Sequence, residues 1–190
     1  MAMTYYDQNA KLFFDNTVNV DMSGLYDEFL PLVPKAGHIL DAGCGSGRDS
    51  KAFIERGYQV YAIDDSAEMA ALAEQLIGQK VEVISFQAFK PSRYFDAIWA
   101  CASLLHLRMQ DLPETINQLS KCLNADGVFY CSFKYGQEEV TRDGRHFTNL
   151  NEQLLESIVG DSLKIAKTWV TTDLRPERHE KWLNAILIRC

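Results

Sequence analysis

Three glycines alternate along the segment Asp41-Ala42-Gly43-Cys44-Gly45-Ser46-Gly47, which follows a short apolar run. Glycine adopts positive φ without steric cost and lets a ligand approach the backbone closely. A plain tight turn between a strand and a helix is the simpler alternative, but it needs fewer glycines. We therefore predict a ligand-binding turn at this position.

The spacing of these glycines argues against two phosphate-binding motifs. Counted from Gly43 or from Gly45, the third glycine of the dinucleotide motif G-x-G-x-x-G falls on Arg48 or on Ser50. A P-loop requires lysine directly after its last glycine, where this chain has Arg48. The sequence thus excludes an NAD-linked oxidoreductase and a P-loop nucleotidase.

Two acidic residues indicate what the turn could bind instead. Asp41 precedes the glycines, where a carboxylate repels a pyrophosphate and suits a cationic ammonium group. Asp64 ends the next predicted strand, where an acid can accept hydrogen bonds from both ribose hydroxyls. The predicted ligand is a nucleoside that carries a positively charged amino-acid tail and no phosphates.

The sequence resembles the class I S-adenosylmethionine-dependent methyltransferases over essentially its whole length. Their D-x-G-x-G-x-G turn and ribose-binding acid are matched by Asp41, Gly43, Gly45, Gly47 and Asp64. The resemblance implies S-adenosyl-L-methionine as cofactor and S-adenosyl-L-homocysteine as product. Gly-Arg-Asp after the turn and Ala-Ser-Leu-Leu-His after the fourth strand resemble a bacterial subgroup labelled tellurite-resistance-like, from which we infer no tellurite chemistry.

The same resemblance implies the cofactor contacts. The family holds adenine after the third strand, often with an Asp where Gln87 stands, and a glutamine carbonyl can also accept from the adenine amine. Residues that end the fourth strand line the methionine part, and an N-terminal segment with Tyr5, Tyr6 and Phe14 folds over the cofactor. The predicted cofactor-binding residues are Tyr6, Asp41, Gly43, Cys44, Gly45, Gly47, Arg48, Asp64, Asp65, Phe86, Gln87, Cys101 and Ala102.

Three residues are candidates for work on the methyl acceptor. His106 follows the fourth strand and could serve as a general base, or it could simply pack among leucines and bind a backbone carbonyl. Arg145 and Arg175 could grip an anionic acceptor, since paired arginines suit carboxylates and phosphates. The alternative is a charged loop whose arginines pair with its own acids, Glu138, Glu139 and Asp143.

The elements that position these residues alternate between strands and helices, which predicts a Rossmann-like α/β fold. We expect a doubly wound, mostly parallel sheet of about seven strands with an antiparallel C-terminal hairpin and helices on both faces. The predicted strands are 38–41, 58–63, 81–86, 95–102, 128–133, 163–170 and 182–188. The predicted helices are 7–33, 48–56, one from a capping box at 65–68 to Gly78, 111–123 and 151–159, with a polar loop at 134–148.

The length of 190 residues fits a single domain, 1–190, in which 1–34 is a helical lid. The net charge of −7 and the lack of a Lys/Arg block argue against nucleic-acid binding. Scattered histidines and five cysteines without a C-x-x-C pair argue against a metal site and for reduced thiols. With no secretory signal and no apolar stretch of membrane length, we expect a soluble, cytoplasmic, bacterial-type protein.

The favoured function is methyl transfer to a small metabolite by direct displacement, with an anionic metabolite as a hypothesis. One alternative is a protein or RNA methyltransferase of the same fold, although N/D-P-P-Y and Pro-Cys motifs are absent from the sequence. The other alternative is a protein that binds S-adenosylmethionine without catalysing transfer.

Overall fold

The computed structural model describes residues 5–90, 93–175 and 178–190. The helices are α1 (Tyr5–Thr17), α2 (Ser23–Phe29), α3 (Arg48–Glu55), α4 (Ala67–Ile77), α5 (Leu112–Ser120) and α6 (Glu152–Ile158). The strands are β1 (His38–Ala42), β2 (Gln59–Asp64), β3 (Val81–Val83), β4 (Phe95–Ala100), β5 (Leu123–Lys134), β6 (Glu139–Arg142), β7 (Arg145–Thr148), β8 (Leu163–Thr172) and β9 (Lys181–Arg189).

Within these residues, seven strands form one sheet in the order β3-β2-β1-β4-β5-β9-β8. The first five strands in this order pair in parallel, and β9 runs antiparallel to both β5 and β8. This arrangement confirms the predicted doubly wound sheet with an antiparallel C-terminal hairpin.

Helices cover both faces of the sheet because successive strand side chains point to opposite sides. In β1, Ile39 packs in a cluster with Phe29 of α2 and Phe53 of α3. Its neighbour Leu40 packs in the other large cluster, with Ile116 of α5 and residues of α6. The central strands are therefore buried on both faces, and the ligand-binding groups are left to the strand ends.

The N-terminal region differs from the single predicted helix at 7–33. Residues 18–22 interrupt it, so that α1 and α2 are separate helices. The capping box was also misplaced, because Ser66 rather than Asp65 is the N-cap of α4 and its hydroxyl accepts from the Met69 N–H. Gly78 ends α4, as predicted, and its backbone there is left-handed.

The predicted polar loop at 134–148 is wrong, since β6 and β7 form a hairpin there. Arg142 pairs with Arg145 across a two-residue turn, Asp143-Gly144, in which both residues have positive φ (52° and 73°). Asp-Gly is a preferred sequence for such a turn because its backbone twist matches that of the flanking strands. This signal in the sequence was overlooked.

Strand lengths also depart from the predictions at the edge that matters for the site. β3 ends at Val83 and β4 at Ala100, earlier than predicted, so residues 84–86 and 101–102 belong to loops.

No disulfide joins the five cysteines, all of which are free. No helix within the described ranges is long and apolar enough to cross a bilayer.

Candidate functional site

A cleft of about 530 Å³ opens at the carboxyl-terminal edge of β1, β2 and β4. After β1 the chain moves outward through β2 and β3, then returns to β4 on the other side of β1. Such a reversal creates a crevice in which α/β sheets commonly bind ligands. The predicted site residues that line it are Tyr6, Gly43, Cys44, Gly45, Arg48, Asp64, Asp65, Phe86, Gln87, Cys101, Ala102, His106, Arg145 and Arg175.

The glycines of the turn serve different purposes. Gly43 has φ of 81°, and a Cβ there would lie 2.5 Å from the Ser103 Cβ, so only glycine lets the turn approach the loop after β4. Gly47 does not line the cleft; a Cβ there would meet Ala73 of α4 at 3.0 Å. Gly43 therefore allows the turn to lie close to the loop after β4, whereas Gly47 allows it to pack closely against α4.

Asp64 is fixed at the end of β2 by backbone donors. Its Oδ2 accepts from the Gly45 N–H at 2.8 Å and its Oδ1 accepts from the Ser66 N–H at 3.0 Å. The carboxylate is buried, which raises its pKa to about 6 against the lowering effect of these two bonds. Each oxygen retains a lone pair for a further donor, so Asp64 can accept hydrogen bonds from a ligand's hydroxyl groups.

Asp41 lies behind the cleft wall rather than in it. It is 2% exposed, does not line the cleft, and accepts a hydrogen bond of 2.6 Å from the Ser50 hydroxyl. Burial and the charge of the neighbouring Asp49 raise the pKa of Asp41 to about 8. Direct contact between Asp41 and a ligand's ammonium group is therefore not favoured by this geometry.

Asp49, which the sequence reasoning passed over, is the acid that lines this end of the cleft. It accepts two hydrogen bonds from Arg48 at 2.7 and 2.9 Å, one from the Trp99 indole at 2.9 Å and one from the Tyr26 hydroxyl at 2.5 Å. Burial raises the pKa of Asp49, but Arg48 and the other donors more than offset this, so the net pKa is lowered. Its position in the first turn of α3 was a usable signal.

The loop after β4 is anchored from both sides. The Ala102 N–H donates to the Ser132 hydroxyl of β5 at 2.8 Å, and Ala102 itself is left-handed with φ of 51°. The Ser103 hydroxyl donates to the Ala42 carbonyl at 2.7 Å. These bonds fix the loop beside the glycine turn, and its residues Cys101 and Ala102 line the cleft.

His106 makes two hydrogen bonds that define its tautomer. Nδ1 lies 2.8 Å from the His146 carbonyl oxygen, which can only accept, so Nδ1 carries the proton. Nε2 then accepts from the Tyr6 hydroxyl at 2.7 Å. Burial lowers the pKa of His106 to about 4, and the ring is neutral near pH 7. His106 binds a backbone carbonyl, as one alternative predicted, and it also lines the cleft, so its role as a general base stays a prediction.

The two arginines predicted to grip an anion have unequal surroundings. Asp173 holds the Arg175 guanidinium through bonds of 2.9 and 2.5 Å, so that charge is neutralised within the loop. Arg145 lies between the rings of Tyr5 and Phe147, at 4.5 and 5.1 Å from their centroids. The carboxylate paired with it is that of Asp143, at 4.0 Å. Both arginines line the cleft, and the carboxylate paired with Arg175 is much nearer, at 2.5 Å, than the one paired with Arg145.

The lid residues are placed in part as predicted. Tyr5 and Tyr6 line the cleft, and Phe13 rather than Phe14 does so from about two turns further along α1. Residues 1–4 of the predicted lid lie outside the described residues. Among the described residues there is no group of three or more His, Cys, Asp or Glu side chains that could hold a metal ion.

Comparison with known families and sequences finds similarity to methyltransferases. The family model described as "Methyltransferase domain" matches residues 40–131, which run from β1 to β5 and include the glycine turn. An uncharacterised methyltransferase of Geobacillus thermodenitrificans is 32% identical over 143 residues, covering 72% of this chain and 66% of that protein. One of Anoxybacillus flavithermus is 34% identical over 99 residues, covering 50% and 47%. The chain thus spans about half to two thirds of these relatives.

A solved structure shares the fold at low sequence identity. The 1,6-didemethyltoxoflavin-N1-methyltransferase of Burkholderia thailandensis, crystallised with 1,6-didemethyltoxoflavin and S-adenosylhomocysteine, superposes with a TM-score of 0.72. It is 20% identical, and the match covers 97% of this chain and 83% of that one. At this identity the likeness concerns the fold.

Proposed function

Because the chain carries the fold and the domain of the class I S-adenosylmethionine-dependent methyltransferases, we propose that it transfers a methyl group from S-adenosylmethionine to a small-molecule acceptor. The single observation that carries this proposal is the pairing of Asp64 with the glycine turn. Asp64 is locked by the Gly45 N–H and retains acceptor capacity at the edge of the cleft. A Cβ at position 43 would overlap Ser103, so the turn requires glycine there.

The cofactor is S-adenosylmethionine rather than a phosphorylated nucleotide. The cation nearest the glycine turn is Arg48, and Asp49 neutralises it through two hydrogen bonds. A pyrophosphate at this end would meet Asp49 and Asp64 without a free cation to balance its charge. A zwitterionic tail suits the Arg48–Asp49 pair, since each end of the tail finds an opposite charge.

Different residues along the cleft contact different parts of the cofactor. Asp64 receives the ribose hydroxyls, and Phe86 and Gln87 flank the adenine after β3. Cys101 and Ala102, which line the cleft, contact the methionine part. When bound, the cofactor supplies an electrophilic methyl group on a sulfonium centre. The protein contributes alignment and a partly water-excluded site.

His106 is the general base in this proposal. It is neutral, its Nδ1 proton is committed to the His146 carbonyl, and its Nε2 lone pair faces the Tyr6 hydroxyl in the cleft. A fixed tautomer with Nε2 as acceptor is what removal of a proton from an acceptor group requires. Tyr6 must move aside or pass the proton on, because it occupies Nε2 in this structure.

A small acceptor fits the enclosure of the cleft better than a macromolecule does. Tyr5 and Tyr6 of α1 cover the end that contains His106 and Arg145. The Ser66 hydroxyl donates to Asp7 at 2.6 Å and ties α1 to α4, consistent with a lid over the site. The tellurite-resistance-like subgroup, the single-domain organisation with its lid and the cytoplasmic location stay predictions.

Calorimetric titration with S-adenosylhomocysteine tests the cofactor assignment. We expect saturable binding by the wild-type chain and a loss of roughly 100-fold or more in Asp64→Ala, since two hydrogen bonds to a charged acceptor disappear. Glu82→Gln is the matched control, because Glu82 lies on the neighbouring β3 outside the cleft and accepts from Tyr61. Preferred binding of ADP or NAD by the wild type would contradict the proposal.

A screen with tritium-labelled methyl groups tests the activity. The label should pass to a small-molecule fraction of a bacterial extract and not to its protein or RNA. Label recovered in macromolecules would favour the protein or RNA methyltransferase alternative. Tight binding without any transfer would favour a protein that only senses the cofactor.

A further inference from the structure

The Arg145 guanidinium contains a donor that the fold does not use. Its Nε is buried and has no hydrogen-bond partner among the described residues. The side chain is 19% exposed and lies against the faces of Tyr5 and Phe147 in the cleft. A buried N–H without an acceptor is costly, and proteins rarely keep one unless something else satisfies it.

Of Lys134, Arg145 and Arg175, which all line the cleft, Arg145 has the most capacity for a bound anion. Lys134 pairs with Glu180 at 3.4 Å, and Arg175 is held by Asp173 at 2.5 Å. The Asp143 carboxylate lies 4.0 Å from Arg145, and its side chain is 68% exposed. Such an exposed pair at the limit of contact is worth little. The positive charge of Arg145 is therefore available to a bound molecule.

We propose that Arg145 binds the carboxylate group of the methyl acceptor, which makes the acceptor a small planar monocarboxylate. This inference rests on the proposed function and deepens it, since it names the substrate class for the same cleft. It also revises the predicted clamp of Arg145 with Arg175, because Asp173 already occupies Arg175.

A carboxylate matches the available donor better than a phosphate does. The edge of a guanidinium that contains Nε presents two parallel N–H groups, which suit the two oxygens of a carboxylate. The guanidinium of Arg145 carries one positive charge, which balances one carboxylate, whereas a phosphate monoester carries nearly two negative charges near pH 7. The rings of Tyr5 and Phe147 that flank Arg145 favour a flat molecule beside it.

The position of Arg145 also places the anionic group beside the base. The Tyr6 hydroxyl, which donates to His106 Nε2, also lies beside the Arg145 guanidinium, which acts to lower the Tyr6 pKa against the larger effect of burial. An acceptor held by Arg145 thus has its other end next to Tyr6 and His106. The carboxylate anchors the molecule, and the group to be methylated points toward the base.

Titration of the S-adenosylhomocysteine-saturated protein with benzoate, benzamide and phenyl phosphate tests this inference by NMR chemical-shift changes. We expect benzoate to bind at least tenfold more tightly than the neutral benzamide and more tightly than phenyl phosphate. Arg145→Gln should weaken benzoate binding about tenfold or more. Lysine keeps the positive charge but lacks the two parallel N–H groups of a guanidinium. The benzoate affinity of Arg145→Lys should therefore lie between those of Arg145→Gln and the wild type.

Arg142→Gln is the matched control, since Arg142 is the cross-strand partner of Arg145 in the same hairpin and does not line the cleft. It should leave benzoate affinity unchanged, and circular dichroism should show that all three variants fold. Equal affinity for benzoate and benzamide, no saturation by roughly 10 mM benzoate, or unaltered binding in Arg145→Gln would overturn the inference. If the protein fails to bind S-adenosylhomocysteine, the proposed function fails, and the same titration without it still decides the role of Arg145.

Discussion

The Tyr6 hydroxyl donates a 2.7 Å hydrogen bond to Nε2 of His106, which joins the first helix to the loop after β4. The bond forms in this direction because the other ring nitrogen is committed to the His146 carbonyl. One hydrogen bond thereby connects the lid over the cleft with the proposed base. The same bond means that the lid and the protonation state of His106 are coupled.

His106 should remain neutral well below the usual range for histidine. Its pKa is about 4 in the folded protein and near 6.5 in the unfolded chain, so the unfolded chain binds the extra proton between these values. The stability associated with neutral His106 is therefore complete above about pH 6.5 and is lost as the pH falls toward 4. NMR of the imidazole carbons should show no titration of this ring between about pH 8 and 5.5.

The corresponding stability change can be isolated with a variant that does not titrate. Relative to His106→Gln, the wild type should lose about 1–3 kcal/mol of unfolding free energy between pH 6.5 and 4. Urea denaturation at several pH values measures this difference. The comparison is needed because the raised pKa of Asp64, about 6, acts in the opposite direction in the same window. A constant difference across the window would contradict the assignment of a buried, neutral His106.

Asp49→Asn should destabilise the fold severely. The change leaves the buried Arg48 guanidinium without its counter-charge, and an amide cannot accept all four hydrogen bonds that reach Asp49. Loss of one partner from a buried ion pair costs about 3–5 kcal/mol. Urea denaturation provides the measurement. The control is Asp15→Asn, which removes an exposed ion pair with Lys11 and should cost less than about 0.5 kcal/mol. Similar losses of unfolding free energy in both variants would rule out this role for Asp49.

Gly43→Ala and Gly57→Ala separate backbone strain from steric overlap. Both glycines have positive φ, at 81° and 86°, so alanine costs about 1–2 kcal/mol at either position. Only Gly43 faces a neighbour, because a Cβ there meets Ser103 at 2.5 Å while Gly57 has open space. Gly43→Ala should lose more stability and at least tenfold in S-adenosylhomocysteine affinity. Equal affinity in the two variants would show that the approach of Gly43 to Ser103 does not shape the cleft.

Ser66→Ala and Asn151→Ala remove equivalent N-caps with different consequences. Each side chain accepts a backbone N–H at the start of its helix, and its loss costs about 1 kcal/mol. Ser66 also donates to Asp7 of α1, so its removal loosens the lid, whereas Asn151 caps α6 away from the cleft. S-adenosylhomocysteine affinity should fall several-fold in Ser66→Ala and stay unchanged in Asn151→Ala. The prediction fails if calorimetry finds the same affinity for both.

Local chemistry explains why some elements could be predicted and others could not. Gly78 ends its helix as predicted, since a left-handed cap depends on the residue itself. The hairpin at Asp143-Gly144 had an equally local signal that was overlooked. The early ends of β3 and β4 had no such local signal in the sequence. A strand ends where it stops pairing with its neighbour, and the neighbouring strand lies far away along the chain.

The sequence by itself determined the alternation of strands and helices, the glycine turn and the acid after β2, because these depend on residue type and short spacing. The tertiary structure decided which acid reaches the cleft, since Asp49 lines it whereas Asp41 does not and instead accepts from Ser50. It likewise decided that Asp173 neutralises Arg175 while the Nε of Arg145 remains unpaired. Charge balance in a site is a property of distances between segments, and those distances exist only once the chain is folded.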